Sequence, residues 1–371
     1  MTKIKVLYII TSFKKSGPIN QLFYIIRNLK RDLFDPVLIS INNENSDEIV
    51  RRQYEKLLKC IHVPMSKMDI VFGRFSRMKE AITSIKPDVI HTLGIFPDFM
   101  IERMGYKNHI LTLRDYCYVG HKDKYGFVIG TILTSLQEYV MNHCENVLTC
   151  SESLAKMYKC KNYEFSYIRN GVDVRRFSKA SNSRKIELRK KFKIDQSSFV
   201  FIYSGQFVAR KNQIMAITSF LKIKKSNVVL LLLGDGPELE KCKQVAREDK
   251  RVVFRGNVSN VEEYLIASDA YVSTSKSEGM PNGVLEAMAT GLPVLLSNIE
   301  QHKEIFMADS EIGLLFDLQS QKDLTTKLQQ FIENDKIADW GNHAHLLVNN
   351  EFSDFSMSEK YQQKYKEIVS M

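Results

Sequence analysis

Ser275 to Pro293 reads SKSEGMPNGVLEAMATGLP. Two carboxylates, Glu278 and Glu286, flank the point where a loop turns into a helix. Asn282 has the side chain of a helix N-cap, and Gly291 suits the position just past a helix end. A helix is therefore expected between them, with Pro293 opening the next strand. At such a junction, backbone N–H groups and the positive end of the helix dipole favour an anion. Carboxylates accept hydrogen bonds in pairs and so suit the vicinal hydroxyls of a ribose or a sugar ring. Either carboxylate alone also fits a surface charge. The pair, set in this turn, points to a ligand that is both anionic and polyhydroxylated. A second segment, Gly205 to Asn212 (GQFVARKN), places Arg210 and Lys211 directly after an apolar run. An arginine fork there could grip a diphosphate bidentately.

These segments need elements to hold them. Lys3 to Ile10 and Ser198 to Tyr203 are apolar runs of the kind found in strands buried on both faces. Each leads through a loop into a helical stretch, Asn20 to Leu29 in the first half and Gln213 to Leu221 in the second. Strand, loop, helix is the opening unit of a doubly wound α/β domain. Further strands are expected at 37–41, 89–91, 110–113 and 147–150, then at 228–233, 252–254, 270–274 and 293–297. The chain thus reads as two open parallel sheets in succession. A first domain is expected over 1–168 and a second over 169–354, joined near the turn dipeptide Asn170-Gly171. An amphipathic helix closes the chain, with about 355–371 expected to pack back on the first domain.

The 371 residues can bury two cores, and 44% hydrophobic with 26% charged residues is a globular profile. No run reaches the roughly 18 apolar residues of a membrane span, and the opening apolar run is too short for a secretory signal. The cysteines are scattered, with no C-x-x-C pair, and read as reduced thiols without a metal site. The expected location is the cytosol. A net charge of +10 calls for an anionic partner. Recognition signatures for nucleic acid are missing, so an anionic substrate or an anionic membrane surface accounts for it better. The basic run Arg184 to Lys193 reads as a solvated helix face.

The segment around Glu278 and Glu286 strongly resembles the Glu-x7-Glu signature of the family-4 glycosyltransferases, which are retaining enzymes of the GT-B superfamily (glycosyl transferases group 1). Tyr167 to Asp173, Leu232 to Glu238, Val253 to Val258, Ala267 to Asp269 and Gly313 to Phe316 resemble further family segments in the expected order. The likeness is dense from about Ser166 to Phe316 and thin in the N-terminal half. It implies an α/β GT-B fold, two Rossmann-like doubly wound domains facing a cleft. It also implies transfer of a sugar from a nucleotide diphosphate donor, UDP expected, to a glycan or lipid-linked acceptor in surface polysaccharide synthesis. Peripheral contact with the inner face of the membrane would suit such an acceptor. Two other functions stay open: a nucleotide-sugar epimerase of the same fold, and a non-catalytic partner that binds nucleotide sugar.

Carried over by position, Glu286 would hold the ribose hydroxyls. Glu278 would sit by the transferred sugar, with Gly279, Met280, Pro281 and Asn282 around the donor. Val258 would lie beside the base. Gly205, Arg210 and Lys211 would hold the diphosphate, although Gln206 stands where the family usually has arginine. No Asp-x-Asp occurs, so the cations and a helix N-terminus would neutralise the leaving charge without a metal or other cofactor. In the N-terminal half, Gly17 lies at the family's glycine turn. His91 lies on a strand that presents a catalytic histidine in relatives, although Leu93 replaces a second one; a core histidine fits equally well. Arg114 and His302 are candidates for acceptor contact, and Arg114 equally for a salt bridge with Asp115.

Overall fold

A computed structural model describes residues 3–42 and 46–370 and divides the chain into two compact units. The first comprises Met1–Gly171 with Asp354–Met371, the second Val172–Ser353.

The first unit is a seven-stranded, wholly parallel sheet. Its strands are β1 (Ile4–Ile10), β2 (Phe34–Ser40), β3 (Lys59–His62), β4 (Val89–Leu93), β5 (His109–Leu113), β6 (Asn146–Thr149) and β7 (Ser166–Tyr167), in the order 3-2-1-4-5-6-7. Burial on both faces explains the apolar run of β1, where Val6 to Ile10 are fully shielded. Pro36 is tolerated in β2 because β3 pairs only from Val37 onward, so no partner on that side needs its missing N–H. The order reverses between β1 and β4, whose pairing sets Tyr8 opposite His91. The terminal helix, Asp354–Ser370, lies against helix Gly17–Arg27. It buries Met357, Tyr361, Tyr365 and Ile368 in the same core as Tyr8, Ile25 and Phe34. Asp354 anchors its first turn, accepting from Arg27 Nη2 and Asn28 Nδ2 at 2.6 Å each.

The second unit is a six-stranded parallel sheet: β8 (Phe199–Ser204), β9 (Val228–Leu233), β10 (Val252–Gly256), β11 (Ala270–Ser273), β12 (Val294–Ser297) and β13 (Gly313–Phe316), ordered 10-9-8-11-12-13. Here the reversal falls between β8 and β11. Connections leave β8 one way and β11 the other, opening a crevice at their carboxyl ends where such sheets bind ligands. The two loops that hold the notable residues leave those two ends.

One expectation needs correcting. The basic helix, Asn182–Phe192, is not a plain solvated face. Leu188 is fully buried and Arg189 is 5% exposed. Arg189 Nη2 and Lys185 Nζ both reach Asp269, at 2.5 and 2.7 Å, while Arg184 and Lys191 pair with Glu263. Much of the helix's charge is therefore used in docking it to the segment before β11.

Candidate active site

The loop after β8 is bound down on three sides. Gly205 N–H donates to the Leu233 carbonyl at 3.0 Å, and Phe207 N–H to the Asp235 carbonyl at 2.9 Å. Gly234, at φ +128°, must be glycine because a Cβ there would overlap the Gly205 carbonyl. Gly234 N–H in turn meets the Gly256 carbonyl at 2.7 Å. The loops after β8, β9 and β10 thus form one backbone-bonded rim. Val258, half-buried, lies just beyond β10 on that rim. At the far end of the β8 loop, the Lys211 carbonyl accepts from Tyr203 Oη at 2.6 Å and Lys276 N–H meets the Arg210 carbonyl at 2.7 Å. These bonds fix where the two cationic side chains start.

Both cations converge on Glu278. Lys211 Nζ lies 2.6 Å from Glu278 Oε1, Arg210 Nη1 lies 2.9 Å from Oε2, and Ser275 Oγ donates to Oε1 at 2.7 Å. The Glu278 side chain is 5% exposed. Burial alone would raise its carboxyl, but Lys211 and Arg210 outweigh it and hold the group down at about 2. The Arg210 side chain stays 42% exposed, able to turn toward a further anion. The Arg210, Lys211 and Glu278 cluster therefore carries two positive charges and one negative charge at the carboxyl ends of β8 and β11.

Below the loop, helix Asn282–Ala289 starts against β8 and β11. A Cβ on Gly283 would meet Tyr271 Oη at 2.7 Å and the Ser204 carbonyl at 3.2 Å, so glycine lets the helix approach. The cap is Pro281, not Asn282, which is the first helical residue and gives its N–H to the Met280 carbonyl at 3.0 Å. Met280 and Pro281 are buried; Gly279 and Asn282 are half-buried. Gly291, at φ +83°, follows the helix end as expected. Glu286 is half-buried on this helix, and among the described residues its carboxylate makes no hydrogen bond or ion pair. Burial pushes it up to about 7, while Arg176 pulls the other way. A carboxylate held in a shielded place without a donor is one that a ligand can complete.

Residues 184–346 match the family of the glycosyl transferases group 1. Nearly the whole chain, 98%, aligns at 22% identity with 99% of an O-antigen biosynthesis glycosyltransferase, WclY, from Escherichia coli. The second unit thus carries a group 1 glycosyltransferase domain. A second Escherichia coli relative, a UDP-Gal:α-D-GlcNAc-diphosphoundecaprenol α-1,3-galactosyltransferase, is 27% identical over 56% of this chain and 55% of its own length. The fold is that of Anabaena HepE, solved in complex with UDP, at a TM-score of 0.81 and 16% identity over 98% of this chain and all of that one. This is the GT-B fold.

Other expected site residues are placed differently. His91 is not presented at a strand end; it is 2% exposed in the core of the first unit. Its Nδ1 lies 2.7 Å from Tyr365 Oη, Tyr361 stacks on it at 5.4 Å, and burial lowers it to about 3. His302 lies not in a loop but in the first turn of helix Glu300–Ala308, fully buried, and burial lowers it to about 4. Its Nδ1 is 2.9 Å from the Ser297 carbonyl, which can only accept, so Nδ1 bears the proton. Ser297 Oγ then donates to the Ser275 carbonyl at 2.6 Å. His302 thereby supports the loop that carries Glu278. Arg114 is half-buried at the end of β5 and donates to Asn170 Oδ1 at 2.7 Å, not to Asp115. Gly17 opens the helix after β1, with Pro18 in its first turn. Sequence reasoning missed Ser275, Ser297 and Tyr203. Only their small or hydroxylated types at strand ends signal them, and that signal is common.

Proposed function

We propose that this glycosyltransferase moves a sugar from a UDP-sugar to a lipid-linked or glycan acceptor in surface polysaccharide assembly, with retention and without a metal at the donor site. The observation that carries it is the Arg210–Lys211–Glu278 cluster beside the unpartnered Glu286. The cluster supplies charge for a diphosphate, and Glu286 supplies an acceptor for ribose hydroxyls. UDP is favoured because HepE was solved with UDP and the galactosyltransferase relative is named for a UDP-Gal donor. That relative's name also describes a diphosphoundecaprenol-linked acceptor.

In the proposed step the bond between the anomeric carbon and the diphosphate oxygen breaks. Its electron pair stays on the diphosphate, where Arg210 and Lys211 stabilise the growing charge. The acceptor hydroxyl oxygen bonds to the anomeric carbon on the same face, and its proton passes to the departing phosphate. Glu278 is a poor nucleophile because two cations and a hydroxyl hold both its oxygens, which favours this route over a glycosyl-enzyme intermediate. Metal independence draws support from the site's own cations, Arg210 and Lys211. Among the described residues, the one His/Cys/Asp/Glu group close enough to hold an ion lies in the first unit.

Membrane contact has a candidate surface. Val128, Ile129 and Ile132 lie at helical spacing in the first turns of helix Phe127–His143, just after Tyr125 ends the preceding helix, and Phe127, Val128, Ile129 and Ile132 are 56–74% exposed. Lys122 and Lys124 lie over the neighbouring rings of Phe127 and Tyr125. Apolar side chains beside lysines suit an anionic lipid surface. No described helix is long and apolar enough to cross a membrane.

Calorimetry with UDP, GDP and their common sugars, in EDTA, tests the donor site. UDP compounds are expected to bind, and Glu286→Ala to weaken them by about 1–3 kcal/mol. Failure of every nucleotide sugar to bind would sink the proposal.

A further inference from the structure

We infer that Glu102, His109 and Cys144 form a binding site for one zinc-type ion in the first unit, apart from the donor loops. The three come from different elements. Glu102 is in the last turn of helix Ile95–Arg103, His109 opens β5, and Cys144 caps the end of helix Phe127–His143. Their ligand atoms all lie within 4.8 Å of one another. His109 Nδ1 is 3.1 Å from Glu102 Oε2 and 3.7 Å from Cys144 Sγ. Usual zinc bond lengths and a tetrahedral angle give edges of about 3.3 Å for nitrogen to oxygen and about 3.6 Å for nitrogen to sulfur. The observed spacings match both. The side chains of His109 and Glu102 are 1% and 12% exposed, so the group is shielded from solvent. A thiolate, an imidazole and a carboxylate suit zinc, with water completing four ligands.

The hydrogen bonds behind His109 point the same way. Thr92 Oγ1 donates to Asp98 Oδ1 at 2.6 Å and lies 2.7 Å from His109 Nε2. A hydroxyl has one proton; with it given to Asp98, Thr92 must accept from Nε2–H. In the neutral imidazole Nδ1 is then the bare nitrogen, facing a carboxylate oxygen and a sulfur. Such an arrangement offers a cation three ligand atoms once the Cys144 thiol, which lies 3.6 Å from the His109 carbonyl and 3.7 Å from Nδ1, gives up its proton. A carboxylate acting through a hydroxyl on the far nitrogen of a histidine is the support that metal-bound imidazoles receive. The alternative, with Asp98 protonated and Nδ1–H bonded to Glu102, needs no ion.

The test uses tag-free full-length protein, purified reduced and without chelator from zinc-supplemented growth. Metal analysis should find about one equivalent of zinc per chain. Protein stripped of metal and titrated with Co²⁺ should gain a thiolate-to-cobalt charge-transfer band and strong tetrahedral d–d bands. Cys144→Ser, nearly isosteric, should lose the charge-transfer band while keeping its circular dichroism. Thr92→Val should weaken metal affinity by about 10–100-fold. No charge-transfer band in the wild type, or zinc affinity equal to that of Cys144→Ser, overturns the site and leaves a proton-only network. None of these readouts depends on transfer activity, so the donor-site proposal stands or falls separately.

Discussion

Glu286 and Glu278 are both shielded, yet their environments move them in opposite directions. Glu278 faces Lys211 and Arg210 and is held at about 2; Glu286 lacks such partners and is raised to about 7. Glu278 is therefore ionised across the physiological range. Its folded value is depressed, so its contribution to stability is present above the ordinary 4.5 and lost as pH falls toward 2. For Glu286 the sign is reversed, because the folded state holds the proton more tightly than the unfolded chain. Its contribution favours folding below about 4.5 and declines as pH rises through about 7. In binding, only the carboxylate accepts from two ribose hydroxyls at once. UDP affinity should therefore rise with pH through about 7 and level off above it. Calorimetry across that range on wild type and Glu286→Gln checks this, since the glutamine variant should bind weakly and without the step. A step that persists in the variant would assign the titration to another group.

At the scale of elements, the site depends on how helix Asn182–Phe192 and β8 are tied to the segment before β11. Asp269 accepts from Arg189 Nη2, from Lys185 Nζ and from the Val200 N–H at 2.7 Å. Asp269→Ala would leave the buried Arg189 charge without its carboxylate, at a cost of about 3–5 kcal/mol. Denaturant unfolding should show a lower midpoint with an unchanged slope. Double replacement of Asp269 and Arg189 should recover part of the loss. The carboxylates, cations and glycines of the donor loops were legible in the sequence because each group is contiguous and follows an apolar strand. What was not legible rests on distant partners. His91 reads as a strand-end histidine until Tyr365, 274 residues away, closes over it. The basic helix reads as solvated because Glu263 and Asp269 lie roughly eighty residues further on. β3, Lys59–His62, escaped notice because an edge strand with a polar residue at each end has no apolar run. His302 looked like a loop residue because its role passes through Ser297 to Ser275, a chain of bonds that spacing does not reveal.

At the scale of the molecule, a net charge of +10 is too large for two donor-site cations to explain. Several other cations are used internally, as the Asp269 and Glu263 pairs show. Lys122 and Lys124 are exposed and flank the apolar face of helix Phe127–His143. Lysines near an anionic surface contribute about 1 kcal/mol each, and that share falls as salt shortens the screening length. Burial of the apolar side chains is insensitive to this screening, so the two contributions can be separated. Co-sedimentation with vesicles of phosphatidylglycerol and phosphatidylethanolamine should be strong at low salt and partly retained at high salt. Val128→Asp with Ile129→Asp should remove the salt-resistant part, and Lys122→Glu with Lys124→Glu the salt-sensitive part. UDP affinity should be unchanged in both, because these residues belong to the first unit and the donor loops to the second. If the aspartate variant sediments like wild type, this face is not the membrane contact. If the lysine variant alone loses binding, attraction by general positive charge suffices and the apolar face has another use.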